Sequence, residues 1–172
     1  MGTLNSIATN KALVLKENTS LVDAARAMHK KSVGSSLVSN GSGHIIGIIT
    51  DRDIACKGIA FNYSPKDKIE TIMNKHFIYI SENGSVNEAV KLMKEFGIRR
   101  LPIIKTMPNG KNRCSGILSF DDLILSEEAS IRDLKEVLSG QFKKAAIRKV
   151  KKTKSVPEFP SLPRELQPII TI

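Results

Sequence analysis

Gly47-Ile48-Ile49-Thr50-Asp51-Arg52-Asp53 returns downstream as Gly116-Ile117-Leu118-Ser119-Phe120-Asp121-Asp122, and each copy follows a matching amphipathic stretch. Ahead of the first lies Ser20-Leu21-Val22-Asp23-Ala24-Ala25-Arg26-Ala27-Met28; ahead of the second lies Ser85-Val86-Asn87-Glu88-Ala89-Val90-Lys91-Leu92-Met93. Apolar residues recur at i, i+3, i+4 and i+7 in both, the spacing of one helix face. The chain is therefore a tandem repeat. Its period of about 65 to 70 residues is too long for a solenoid unit and suits two small subdomains packed about a pseudo-two-fold axis. Packing of that kind opens a cleft between equivalent strand ends, where small molecules bind.

Working outward, Ala12-Leu13-Val14-Leu15 predicts a short strand and Thr19 or Ser20 starts a helix reaching about Lys31. Ser36–Ser39 and His44–Ile49 predict strands joined by Asn40-Gly41-Ser42-Gly43, whose Asn-Gly pair is a hairpin signal. A second helix begins at Thr50. In the second copy, Phe77–Ile80 predicts the first strand, and Ser85 with Glu88 has the spacing of a capping box. Leu101–Ile104 and Cys114–Leu118 then pair across a longer hairpin containing Pro108-Asn109-Gly110. Beyond Ser126 the repeat ends. Ile131 to about Val150 predicts a helix that Gly140 interrupts, and four prolines after Thr153 predict an extended arm.

The doubled Gly-apolar-x-[Ser/Thr]-x-x-Asp motif, the twin helices and the strand Gly97-Ile98-Arg99-Arg100-Leu101-Pro102 together resemble the CBS-domain pair, also known as a Bateman module. The resemblance covers about residues 1–126. It implies an α/β (α+β) fold in which each repeat runs strand, helix, strand, strand, helix, packed about a pseudo-two-fold axis. The expected organisation is a first repeat over residues 1–62, a second over 63–126, and a basic C-terminal helix with a proline-rich tail over 127–172.

Thr50 and Ser119 stand where a strand turns into a helix, so unpaired backbone N–H groups and the positive helix end face whatever lies above the strand. Three residues on, Asp53 and Asp122 offer carboxylates able to accept both hydrogens of a ribose diol. The same spacing also makes a helix cap with Asp in the usual Glu or Gln place, which requires no ligand. The family resemblance favours the ligand reading, since CBS pairs bind adenosine derivatives through these positions. Arg99 and Arg100 replace the first copy's Gly34 and Ser35, so their charge is not a requirement of the fold. Guanidinium groups suit phosphate oxygens, and the resemblance places basic side chains here near the phosphates. Arg52 is a further candidate. The implied ligand is an adenosine nucleotide, AMP, ADP or ATP, held in one cleft or both.

Catalysis finds no foothold in these motifs, because none of the three histidines is tied to Thr50 or Ser119. No cysteine or histidine spacing suits a metal, and Cys56 and Cys114 are expected as buried spectators. The chain is read as a regulatory module and not an enzyme. No apolar run approaches the roughly 20 residues of a membrane span and no secretion pattern opens the chain, so a cytoplasmic protein is expected. Formal net charge is +10. Much of it lies in Lys143, Lys144, Arg148, Lys149, Lys151, Lys152 and Lys154, a run without an acid that could neutralise phosphates of nucleic acid. A nucleic acid or an acidic protein is thus an alternative partner, with the CBS pair as a dimerisation scaffold. A homodimer is expected on either reading.

Overall fold

Ser20 and Ser85 begin corresponding helices because each serine hydroxyl accepts the backbone N–H three residues on, Asp23 at 3.1 Å and Glu88 at 3.2 Å. The Glu88 carboxylate makes no reciprocal bond to the Ser85 N–H, so this cap is one-sided and the expected capping box is only half formed. The computed structural model describes residues 4–8 and 12–150, excepting the side chains of Asn5 and residues 141–150.

In chain order the elements are α1 (Leu4–Ile7), β1 (Val14–Lys16), α2 (Leu21–Lys31), β2 (Ser35–Ser39), β3 (Ile45–Thr50) and α3 (Asp51–Asp53), which runs on as a π-helix over Ile54–Ile59. The second copy supplies β4 (Ile80–Ser81), α4 (Val86–Phe96), β5 (Arg100–Thr106), β6 (Asn112–Ser119) and α5 (Phe120–Leu125), and α6 (Ile131–Val150) follows. Each repeat is strand, helix, strand, strand, helix. One sheet has the order β1-β2-β3 and the other β4-β5-β6, each with a parallel first pair and an antiparallel second pair. The two hairpins share a register irregularity, between Val38 and Ser39 and between Ile103 and Ile104. The copies thus agree down to a local defect in the ladder.

Each amphipathic helix buries the face its spacing foretold. Leu21, Ala24 and Met28 pack with Val38 and Ile49, while Val86, Ala89, Val90 and Met93 pack with Leu101, Ile103 and Leu118. Segments between the repeats cross over. Leu4 and Ala8 lie in the second repeat's core, whereas Ile69, Ile72 and Met73 lie in the first's. The latter segment is pinned by paired backbone bonds, Ile48 N–H to Asn74 O at 3.0 Å and Asn74 N–H to Ile48 O at 2.8 Å. Between the sheets a third apolar cluster of Leu37, Ile45, Ile104 and Ile117 closes the molecule, joined by Ala12, Ile48, Phe77 and Cys114.

The strands at the repeat entries are shorter than their apolar runs. Pairing begins at Val14 and at Ile80, because Ala12 and Phe77 turn into the inter-sheet cluster instead of extending the sheets. Gly140 does not interrupt α6; it permits it. A methyl group there would strike the Lys94 carbonyl oxygen, so glycine lets α6 lie against α4, where Lys94 and Glu136 pair. Val137 is consequently fully buried. Lys143, Lys144, Arg148 and Lys149 fall on the last turns of α6 with side chains outside the description, and Lys151, Lys152, Lys154 and the extended arm lie outside the described residues. Among the described residues, no helix is long and apolar enough to cross a membrane.

Gly140→Ala gains about 1 kcal/mol of helix propensity but overpacks against a backbone carbonyl that no side-chain rotation relieves. A net loss of up to about 2 kcal/mol is expected in urea unfolding, the usual cost of overpacking less the gain in propensity.

Candidate functional site

At the end of β3, the Thr50 hydroxyl accepts the Asp53 N–H at 3.1 Å and donates to Asp53 Oδ2 at 2.6 Å, while the Thr50 N–H donates to the same oxygen at 3.0 Å. At the end of β6, the Ser119 hydroxyl accepts the Asp122 N–H at 3.0 Å and the Ser119 N–H donates to Asp122 Oδ2 at 2.7 Å. Both motifs are complete capping boxes. The cap and the ligand reading, posed as alternatives by the sequence, are compatible in geometry. The cap uses Oδ2 and fixes each carboxylate at a helix start, half-buried at the mouth of a cleft.

Among the described residues, two clefts lie between the repeats, and they correspond by the pseudo-symmetry. The larger, of 860 Å³, joins Thr50, Arg52 and Asp53 of the first repeat to Phe77, Ile78 and Ile98 of the second. The smaller, of 160 Å³, joins Ser119, Asp121 and Asp122 of the second to Ala12, Leu13 and Val33 of the first. Past Ser32 and Val33 the smaller one adjoins a further hollow of 390 Å³. Each cleft therefore draws its hydroxyl and carboxylate from one repeat and its apolar wall from the other.

The apolar wall residues were missed from the sequence, yet the signal was there. Ala12-Leu13 and Phe77-Ile78 stand 65 positions apart, as do Val33 and Ile98, and as do Ser20 and Ser85. Lys57 was also missed. Its ammonium lies 2.8 Å from Asp53 Oδ1 and donates to the Ile72 carbonyl at 3.1 Å, tying the carboxylate to the segment that crosses between repeats.

The arginines divide unequally. Arg99 lines the larger cleft, 3.6 Å from Asp121 Oδ1 and 5.6 Å above the Phe120 ring. Both partners of that ion pair are more than half exposed, so water screens it. Arg100 lines both clefts, its guanidinium over the space left by Gly34, where a Cβ would stand 3.5 Å away. Among the described residues, ion pairs engage Lys57 and Arg99 but neither Arg52 nor Arg100.

The cysteines differ from expectation. Cys56 is exposed and lines the larger cleft, because α3 passes into a π-helix that turns it outward. Cys114 is half-buried between the sheets, where burial pushes its thiol pKa up despite a 3.5 Å bond to the Gly116 carbonyl. His44 serves the fold, its Nδ1 accepting the Asn112 N–H at 2.9 Å from the other repeat. Among the described residues, no cluster of His, Cys, Asp and Glu is arranged to hold a metal.

Residues 4–57 and 69–129 each match the family model of the CBS domain. An uncharacterized 17.7 kDa protein of Acidianus ambivalens is 36% identical over 143 residues, 83% of this chain and 79% of the relative. A conserved CBS domain protein of Thermoplasma acidophilum shares the fold, with a TM-score of 0.70 at 21% identity over 82% of this chain and 76% of that one. The CBS domain pair of protein MJ0100, solved in complex with 5′-methylthioadenosine and S-adenosyl-L-methionine, aligns with a TM-score of 0.63 at 25% identity. That likeness covers 74% of this chain and 98% of its counterpart.

As caps alone, Asp53→Ala and Asp122→Ala should each cost about 0.5–2 kcal/mol in urea unfolding and leave the protein folded. Thiol labelling should modify Cys56 in the native protein, where it is exposed. Cys114, half-buried with its thiol pKa pushed up, should react more slowly until the protein unfolds, and equal rates at the two cysteines would contradict its placement.

Proposed function

The chain belongs to the CBS-domain family, and from that premise we propose that it is a regulatory module binding adenosine-containing ligands in the clefts between its two repeats. One observation carries the reading: each cleft sets a half-buried carboxylate at a helix start opposite an apolar wall from the other repeat. An adenosine has matching parts. Its base takes the apolar wall, with Phe77, Ile78 and Ile98 in one cleft and Ala12, Leu13 and Val33 in the other. Its ribose diol donates to Asp53 or Asp122, and phosphates, where present, meet Arg52, Arg99 and Arg100. The neighbour solved with 5′-methylthioadenosine and S-adenosyl-L-methionine supports the adenosine part.

Regulation follows from where the clefts lie. A ligand touching both repeats binds most tightly in the arrangement that brings its two half-sites together, and so shifts the population towards it. The response passes to a second copy or a separate partner. None of the roles proposed here is catalytic.

Calorimetric titration of nucleotide-stripped protein with AMP, ADP, ATP and 5′-methylthioadenosine should give saturable binding of at least one. The double variant Asp53→Ala/Asp122→Ala should weaken it by about 10- to 100-fold, the worth of hydrogen bonds to a charged group. Unchanged affinity in that folded variant would remove the carboxylates from the site.

A further inference from the structure

Hydrogen bonding at the head of α3 leaves the larger cleft an acceptor and a donor side by side. The cap spends Asp53 Oδ2 on the Thr50 N–H at 3.0 Å and the Thr50 hydroxyl at 2.6 Å, so the oxygen still open to a ligand is Oδ1. Oδ1 lies 2.8 Å from the Lys57 ammonium. That ammonium carries three donors, of which the Ile72 carbonyl accepts one at 3.1 Å. Asp53 and Lys57 both line the larger cleft.

Two features hold this pair in place. The helix that begins at Thr50 widens into a π-helix over Ile54–Ile59, and a turn wider than the 3.6 residues of an α-helix sets residues four apart nearly in line. Lys57 is thereby brought round to Asp53. On the other side, Ile72 is buried in the first repeat's core, and Asn74 beyond it is bonded through both backbone groups to Ile48, so the carbonyl that anchors the ammonium is itself fixed. The Asp53 side chain is 20% exposed, against 68% for Asp121 in the Arg99 pair, so water screens the Lys57 pair less.

Resting on the adenosine reading above, we propose that Lys57 is a specificity-determining residue of the Thr50/Asp53 cleft, reading the ribose diol together with Asp53. One hydroxyl donates to Asp53 Oδ1, and its neighbour accepts an N–H of Lys57 that Ile72 does not take. A carboxylate alone rewards only hydroxyl hydrogens, whereas a carboxylate beside an ammonium matches a vicinal diol, whose hydroxyls both donate and accept. A sugar lacking either hydroxyl leaves one of the two charged groups covered and without its partner, which is how a site built to bond a hydroxyl rejects an analogue lacking it. The cleft thus takes ribonucleotides and refuses their deoxy counterparts.

The test is calorimetry on the nucleotide-stripped full chain with ATP, 2′-deoxy-ATP and 3′-deoxy-ATP, the binding at issue being that which Asp53→Ala weakens. The three probes share base and phosphates, so ratios between them report the diol alone. The wild type should prefer ATP to each deoxy probe by about tenfold, the worth of one hydrogen bond to a charged group. Lys57→Met should bring ATP and one deoxy probe to within about twofold of each other while the other stays discriminated, and Lys57→Arg, which keeps charged donors, should restore the preference. Lys57 is 43% exposed and methionine keeps the length of its stem, so the variant folds, which urea unfolding checks. Equal loss of all three probes with their ratios kept would make Lys57 structural and overturn the proposal. So would ratios that Lys57→Met leaves unchanged, a wild type that binds the three probes alike, or binding that Asp53→Ala does not touch; in each case the adenosine reading stands. Binding of no probe by the folded wild type would overturn both.

Discussion

The meeting of the two sheets at Leu37, Ile45, Ile104 and Ile117 is the contact on which the rest of the molecule depends. Each of these side chains is at most 9% exposed, and burying an aliphatic side chain of this size is worth about 1.5–3 kcal/mol. Direction matters as much as energy. Ile48 and Ile117, which belong to this contact, lie two residues before Thr50 and Ser119 and form part of the two cleft walls. The apolar seam therefore sets the spacing between each carboxylate and the opposite wall. At its rim, the Asn112 N–H meets His44 Nδ1 at 2.9 Å, a polar contact that fixes the hairpin of one repeat on the other.

On that frame the two halves have diverged where divergence costs little. Apolar positions and caps recur because each is needed to close a repeat, whereas Arg52 and Asp121, at equivalent places on the cleft rims, are both exposed. Exchanges at such exposed positions change stability by only about 0.5 kcal/mol either way. Charge at a cleft mouth can consequently be rewritten without altering the fold. Gly34 is an exception in kind, since a side chain there would strike the Asp51 carboxylate, beside which the Arg100 guanidinium lies.

The order of elements was legible in the sequence because it depends on local rules. Ser20, Thr50, Ser85 and Ser119 announce their helices through the N–H three residues ahead, and Asn40-Gly41 announces a hairpin. The capping positions of Asp53 and Asp122 were legible for the same reason. What escaped was decided by distant partners. Phe77 leaves its strand for a seam made with the other repeat, and Gly140 looks like a helix breaker until Lys94 is placed beside it. The cleft walls were half-legible: Ala12-Leu13 and Phe77-Ile78 obey the repeat spacing, but only the packing shows that each faces the other repeat's carboxylate.

The exchange of segments between repeats bears on how the chain is made. Leu4 and Ala8 seat among Ile80, Leu101, Leu123 and Val137, so their site is complete only after about 130 further residues have been made. At about 5–20 residues per second, that interval is on the order of 10 s. The first repeat likewise completes its core only when Ile69, Ile72 and Met73 emerge. The second repeat closes its core on a segment made before the first, and the first on a segment made after it, so the two halves depend on each other in folding as in structure.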